Sequence, residues 1–467
     1  MIVFCAHSVF SEGNATLEEK DDFLIVKNRC FRHSSAALIV PKFKRGKTRV
    51  CLKLKEGSQD AFIVLYHKVI YENNGEMLTD YDEGTKRKVT DKDWVWLEGE
   101  YCTPPGVDKI IAYFIQESGE PFSDIIIKEI SVEEIATEEV TTQIEAQPFR
   151  IGAIRWDAYF STEDPQGNVS REVAKALSPE EFHFRAPYFA KVNEQGNIEF
   201  PYETQERFDN EAQLAIDAGI DYFAYCWYRE NDVMKYARKR HLTSSLRDKI
   251  KMVAIVNVFA LDEDTLTDLA KVIKEDVYLK VDGHPLIYVF DAIRTNAQSR
   301  QRITDYVLKE GVKQPYYVGM NAVPRPYFIH KLKGMGFDAV GSYGFSSCCE
   351  GEPFASFAMR NEEMAKMRNS MDIQHVTALS LGHDFRPRIK NPVSWMGGKH
   401  YSIAAREEEI YDHVKSTLDI AKENKSKVNS LLIYAWNEHD EGGWICPTIT
   451  GDGYYQAVKK AISETKR

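Results

Sequence analysis

The 467-residue chain has no apolar run approaching the ~18 residues that a membrane-spanning helix needs, so no transmembrane segment is expected. Nor does it carry an excess of basic charge. Sixty lysines and arginines face seventy-one aspartates and glutamates, a net charge of −11. A phosphate backbone attracts the opposite balance, so nucleic acid is excluded as a partner. Cysteine is sparse: there are eight, none in a CxxC or CxxxH pairing. Neither a disulfide scaffold nor a structural metal is indicated. Adjacent Cys348 and Cys349 read as two reduced, half-buried thiols, because a vicinal disulfide is strained. Cys30, Cys51 and Cys102 fall on separate expected strands, where one bridge stays open if the protein is exported. The first residues lack the basic head of a complete signal peptide, yet Ala6-His-Ser8 has the small-x-small form of a cleavage site. This reads as the tail of an export signal, giving a periplasmic or extracellular protein; a cytoplasmic protein with an ordinary first strand is the alternative.

What the chain does contain falls into two halves. Residues 22–134 are short runs rich in β-branched and aromatic residues, such as Phe23-Leu-Ile-Val26, Ala61-Phe-Ile-Val-Leu-Tyr66 and Ile110-Ile-Ala-Tyr-Phe-Ile115. Closely spaced turn signals separate them, among them Asn73-Asn-Gly75 and Pro104-Pro-Gly106, and no long helical period intrudes. That grammar predicts an all-β sandwich over residues 1–135. Its last third, from Cys102-Thr-Pro-Pro-Gly106 to Asp124-Ile-Ile-Ile-Lys-Glu-Ile-Ser-Val132, resembles jelly-roll carbohydrate-binding modules. A sandwich that only braces the rest is the other reading. Residues 136–149 are acidic and threonine-rich, and are expected to be a linker or a connecting helix.

From residue 150 strands alternate with amphipathic segments. Eight strands are expected, at 150–160, 221–228, 251–259, 285–291, 315–322, 337–343, 375–383 and 430–436, each followed by room for a helix. In slightly over 300 residues this predicts an α/β fold, a (β/α)8 TIM barrel over 150–467. An open doubly wound sheet would normally carry a glycine-rich phosphate loop after its first strand; here that position holds Trp156-Asp-Ala-Tyr159.

Barrel chemistry lies just past the strand ends. The candidate substrate contacts are Trp156, Asp157 and Tyr159 after the first strand, Trp227 and Tyr228 after the second, then Asn257, Asp291, Asn321, Tyr343 and His383 from strands three to seven. Trp436, Asn437, His439 and Trp444 come from the eighth. Flat aromatic faces alternating with carboxylates and amides suit sugars, whose rings stack and whose hydroxyls need partners. Glu438 and Glu441 are the candidate catalytic pair: three residues apart beside Gly442-Gly443, they share one side of a turn at ~5–6 Å between Cβ atoms. That suits retaining glycoside hydrolysis better than the wider gap of inversion. A solvated acidic loop is the plain alternative for any isolated ExxE.

Trp436-Asn-Glu-His-Asp-Glu-Gly442, followed by Pro447 and Gly453-Tyr-Tyr-Gln-Ala457, resembles the closing motif of family 99 glycoside hydrolases and the related WbsX-like proteins. The likeness extends to residues 206–228 and to Tyr278-Leu-Lys-Val-Asp-Gly-His-Pro-Leu-Ile-Tyr288, covering the barrel and leaving out the first 147 residues. It implies retaining cleavage of an internal α-mannosidic bond through a 1,2-anhydro sugar, with Glu438 as base on the 2-hydroxyl and Glu441 as acid/base. It implies no cofactor and no metal. His439 in place of the family's tryptophan, the extra charge of Asp440, and Cys446 before the proline depart from the pattern. What carries over is a 1,2-trans glycosidic bond in a polysaccharide or complex glycan rather than mannose itself.

Among the histidines, His375, His383, His400 and His439 lack metal-ligand spacing and read as hydrogen-bonding groups. Asp157, Asp291 and Asp384 at strand ends are expected to bind hydroxyls or to hold Arg155 and Arg386; the alternative is that they replace the glutamates in a different glycosidase mechanism. Two other functions stay open: a glycosyltransferase or transglycosylase of polysaccharide assembly, and a non-catalytic carbohydrate-binding barrel. For the former, Asp262-Glu-Asp264 is the one DxD near a barrel strand, and it reads as the acidic first turn of a helix.

Overall fold

The computed structural model describes residues 9–119, 122–137, 142–321, 325–394 and 398–466. The export-signal reading of residues 1–8 therefore lies outside the described residues. The chain forms two compact units, residues 1–139 with 325–336, and residues 140–324 with 337–467.

The first unit is a sandwich of two five-stranded antiparallel sheets. One runs Val9–Glu12, Ser35–Ile39, Val107–Ser118, Ala61–Asn73, Glu76–Val89; the other Thr16–Lys20, Phe23–Lys27, Ile125–Glu134, Arg45–Leu54, Val95–Cys102. The alternating apolar residues foreseen in these runs meet in one core, which includes Leu24, Val26, Leu52, Ile63, Phe114 and Ile125. The helix Pro326–Gly334, which the sequence places between barrel strands, belongs by its contacts to this unit. Tyr327 and Lys331 both donate to Asp82 at 2.6 Å, which satisfies a carboxylate only 3% exposed. Described cysteines are free: Cys51 and Cys102 are buried thiols, and Cys30 is exposed, so no bridge joins them. Cys348 and Cys349 are exposed rather than half-buried, on the loop that Glu352 pins by accepting from the Cys348 amide.

The second unit is a (β/α)8 barrel. Its strands are β1 (Arg150–Arg155), β2 (Tyr222–Cys226), β3 (Lys251–Val256), β4 (His284–Val289), β5 (Tyr316–Met320), β6 (Ala339–Gly341), β7 (Thr377–Ser380) and β8 (Ser430–Tyr434). Parallel pairing runs β6-β5-β4-β3-β2-β1-β8-β7, and a parallel bridge between Val340 and His375 closes the ring. Because helices cover the outside and side chains fill the inside, these strands are buried on both faces and read as continuous apolar runs. Inside the barrel, the Tyr222 hydroxyl bonds those of Tyr288 at 2.8 Å and Ser430 at 2.9 Å. Gly152 makes room for that ring: a Cβ there would sit 2.1 Å from it. Asp262 caps the helix Glu263–Lys274 by accepting from the Thr265 amide, so Asp262-Glu-Asp264 is an acidic helix start.

Residues 142–149 have no regular secondary structure, and Ile144 is buried in the barrel core, so the described part of the connection is not a helix.

Candidate active site

A cavity of about 780 Å³ opens at the C-terminal ends of the strands, and both Glu438 and Glu441 line it. They lie on the short hairpin and 3₁₀ turn that follow β8, Asn437–Glu438 and His439–Glu441. Asn437 fixes the start of this segment to β1, accepting from the Trp156 amide at 2.9 Å and donating to its carbonyl at 2.8 Å. Gly442 then reverses the chain at φ 89°, a conformation that L side chains rarely adopt. Its carbonyl oxygen sits against Gly382, just past β7, where a Cβ would lie only 2.2 Å away.

The two carboxyls have contrasting surroundings. Glu438 is 2% exposed; its Oε1 accepts from the Tyr343 hydroxyl at 2.8 Å, and its Oε2 has no protein partner. Burial, and next the charge of Glu441, push its carboxyl well above the usual range and favour the protonated form. Glu441 accepts instead from the Arg388 guanidinium and from the Tyr434 hydroxyl. Arg388 also donates through Nε to Asp440 at 2.7 Å, and Asp440 takes a second bond from the Tyr159 hydroxyl at 2.9 Å. Thus Arg388, whose side chain is 3% exposed, bonds two carboxyls, Asp440 and Glu441, and lies over the Trp156 ring at 5.3 Å.

Of the other sequence-derived candidates, Trp156, Trp227, Tyr228, Asn257 and Tyr343 line this cavity. The Trp156 indole donates to the Tyr228 hydroxyl at 2.7 Å, which sets one aromatic wall. Tyr159 and Asn437 act behind the wall, on Asp440 and on the Trp156 backbone. Asp157 and Trp436 belong to a separate buried cluster. Arg155 donates to Asp157 and to Glu211 at 2.8 Å each, and the Trp436 indole reaches Glu211 at 3.1 Å. Burial raises Asp157 to about 6 and Glu203 of the same cluster to about 7.

His439 is fully buried, edge-on to Tyr159 and parallel to Trp444, and burial lowers it to about 3, so its ring is neutral. Trp444 faces a different cavity of about 430 Å³, stacked on Tyr454 at 4.7 Å. His383 accepts from the Ser347 amide and packs on Phe385. Asp291 pairs with Arg294, and Asn321 is buried; neither lines the cavity. Asp384 holds both Arg386 and Arg185, at 2.7 and 2.6 Å. Among the described residues no group of three or more His, Cys, Asp or Glu is placed to hold a metal ion.

Sequence reasoning missed Arg388 and Tyr434, the two donors to Glu441. Arg388 lies five residues past His383, the candidate at the end of the seventh strand, and Tyr434 falls within the apolar eighth strand expected at 430–436. Cys226, at the end of β2, also lines the cavity, its Sγ 3.2 Å from the Tyr343 hydroxyl.

No protein-family model matches the sequence, and no curated protein matches it. Among solved structures the chain is similar to the GH99 endo-alpha-mannosidase from Bacteroides thetaiotaomicron, at 13% identity and TM-score 0.47, over 68% of this chain and 97% of that one. It is similar to the CBM22-1 xylan-binding domain from Paenibacillus barcinonensis Xyn10C at 19% identity and TM-score 0.24, over 28% of this chain and 88% of that one. It is also similar to the CBM22-1–GH10 modules of the Clostridium thermocellum endo-1,4-beta-D-xylanase 10B, at 12% identity and TM-score 0.32, over 97% and 94%.

Proposed function

We propose that the barrel is a retaining glycoside hydrolase acting on a 1,2-trans glycosidic bond in a polysaccharide or complex glycan, with Glu438 and Glu441 as its catalytic pair. The observation that carries this reading is the contrast within the pair: two carboxyls in one strand-end cavity, one in surroundings that favour a proton, the other bound by a guanidinium and a phenol. An enzyme that must protonate a leaving oxygen and at the same time offer a base needs that division.

The resemblance casts Glu438 as base and Glu441 as acid/base; the surroundings support the exchanged assignment. Glu438, through its unpartnered Oε2, gives its proton to the departing glycosidic oxygen. Glu441 takes the proton of the substrate's own 2-hydroxyl as O2 attacks C1 and the C1–O bond breaks, leaving a 1,2-anhydro sugar. Water then opens that ring at C1, losing a proton to Glu438 while Glu441 returns one to O2. Two inversions at C1 give net retention, and each carboxyl ends as it began.

A panel of polysaccharides and 1,2-trans aryl glycosides tests the reading, with the anomer of the first product followed by NMR. Retained configuration is expected, and a 2-deoxy-2-fluoro analogue of the cleaved glycoside should bind uncleaved. A glycosyl ester trapped on Glu441 by that analogue would replace neighbouring-group attack with two-carboxylate retention. An inverted product would overturn the proposal, and so would inactivity across the panel.

A further inference from the structure

We propose that Tyr343 is a positioning residue of the reaction: its hydroxyl binds Oε1 of Glu438, so that Oε2 carries the proton to the glycosidic oxygen and the carboxylate left behind keeps a donor. This rests on the hydrolase reading above and deepens it.

The ends of four strands fix the phenol. Tyr343 stands two residues past β6; its ring packs edge-on against Phe290, just past β4, at 5.2 Å, and tilted against Tyr434, the last residue of β8, at 5.4 Å. Its hydroxyl lies 3.2 Å from Sγ of Cys226, the last residue of β2, and 2.8 Å from Oε1 of Glu438. One phenolic proton thus faces two acceptors. Sulfur is a weak acceptor and a carboxyl oxygen a strong one, so the proton goes to Glu438. The Cys226 thiol, which burial keeps protonated, is left to donate to the phenol oxygen. Hydrogen bonds in such a chain polarise one another, so the thiol strengthens the phenol as a donor.

Glu438 needs that donor. Burial first, and then the charge of Glu441, hold its proton; Asp440 on the same turn adds to this and Arg388 opposes it. The other groups facing it, Tyr159 past β1, Tyr228 past β2 and Tyr434 on β8, are phenols that burial keeps neutral. A buried acid in these surroundings resists leaving a charge behind. A hydrogen bond to the charged form favours it, so Tyr343 eases the release. As the C1–O bond breaks, the proton passes from Oε2 to the departing oxygen, and Tyr343 meets the charge at Oε1. When water opens the anhydro ring, its proton returns to Oε2.

Tyr343→Phe removes the hydroxyl and keeps the ring. Infrared titration of the full chain follows the carboxylic C=O band that Glu438→Gln lacks; its midpoint should rise by about 1 pH unit in Tyr343→Phe. Hydrolysis is measured on 2,4-dinitrophenyl, 4-nitrophenyl and phenyl glycosides of the sugar cleaved in the panel above. The kcat/KM of Tyr343→Phe should fall by less than about 3-fold with dinitrophenolate, which leaves without a proton, and by about 10- to 100-fold with phenolate, which needs one. Cys226→Ala should move the titration the same way by less, and Cys226→Ser, which keeps a donor, should restore it. An unmoved midpoint in Tyr343→Phe overturns the inference whatever the activity. An equal loss on all three glycosides also overturns it, being the mark of a merely structural role. A raised midpoint with no glycoside cleaved by the wild type sustains the hold of Tyr343 on the proton and overturns the hydrolase reading. Should Tyr343→Phe not fold, the cysteine variants decide, and equal titrations of Cys226→Ala and Cys226→Ser overturn the inference.

Discussion

Replacing Glu438 with glutamine should make the barrel more stable as pH rises, because the native carboxyl holds a proton that the unfolded chain releases. In the folded barrel burial and the charge of Glu441 raise this carboxyl well above its ordinary value of 4.5. Above about pH 4.5 the unfolded state has therefore lost the proton while the folded state keeps it, so folding takes up a proton. Stability from this group falls with rising pH, by about 1.4 kcal/mol per unit, until the folded pKa is passed. Glutamine has the shape of the protonated acid and still accepts from Tyr343, but does not titrate. The assay is urea unfolding of both proteins at three pH values, followed by tryptophan fluorescence, since five of the seven tryptophans lie in residues 150–467. The stability difference should widen steadily in the variant's favour while its activity is lost. A difference that stays flat with pH, or moves in favour of the wild type, would refute the claim that Glu438 holds the proton.

Glu441→Gln should lower turnover by at least ~10² and leave substrate binding nearly intact, read as a fall in kcat without a matching rise in KM. Arg388→Met removes the cation buried among Asp440, Glu441 and Glu438; about 3–5 kcal/mol of stability should be lost in urea titrations, and a carboxylate limb of the pH–rate profile should move upward. Gly382→Ala places a Cβ against the Gly442 carbonyl and should displace the turn that carries Glu438 and Glu441; circular dichroism should report an intact fold while kcat falls.

Much of the architecture is legible in the sequence because parallel barrel strands are buried on both faces. Each of β1 to β8 is a short apolar run; seven fall inside the stretch expected for them, and β4 begins one residue before its stretch, at His284. The site's address follows from the fold, since strand ends gather at one mouth, and Glu438 and Glu441 lie there as the spacing of the motif indicated. Tertiary structure alone decided which strand-end residues face the cavity. Within one heptapeptide Trp436 turns back onto Glu211 and His439 packs between Tyr159 and Trp444, while Glu438 lines the mouth. A change of backbone direction after β8 sets that division, and composition does not record it. The proton's place was equally hidden. It depends first on the burial of Glu438 and next on the charge of Glu441, with Arg388, 53 residues away in sequence, bonded to Glu441 while Glu438 accepts from Tyr343. Likewise, residues 325–336 look like any barrel helix until Asp80 and Asp82 pair with Arg325, Tyr327 and Lys331. Local periodicity fixes strands and helices because it reflects which face is buried; ion pairs between distant segments arise only once the chain has folded, and they decide what the buried acids do.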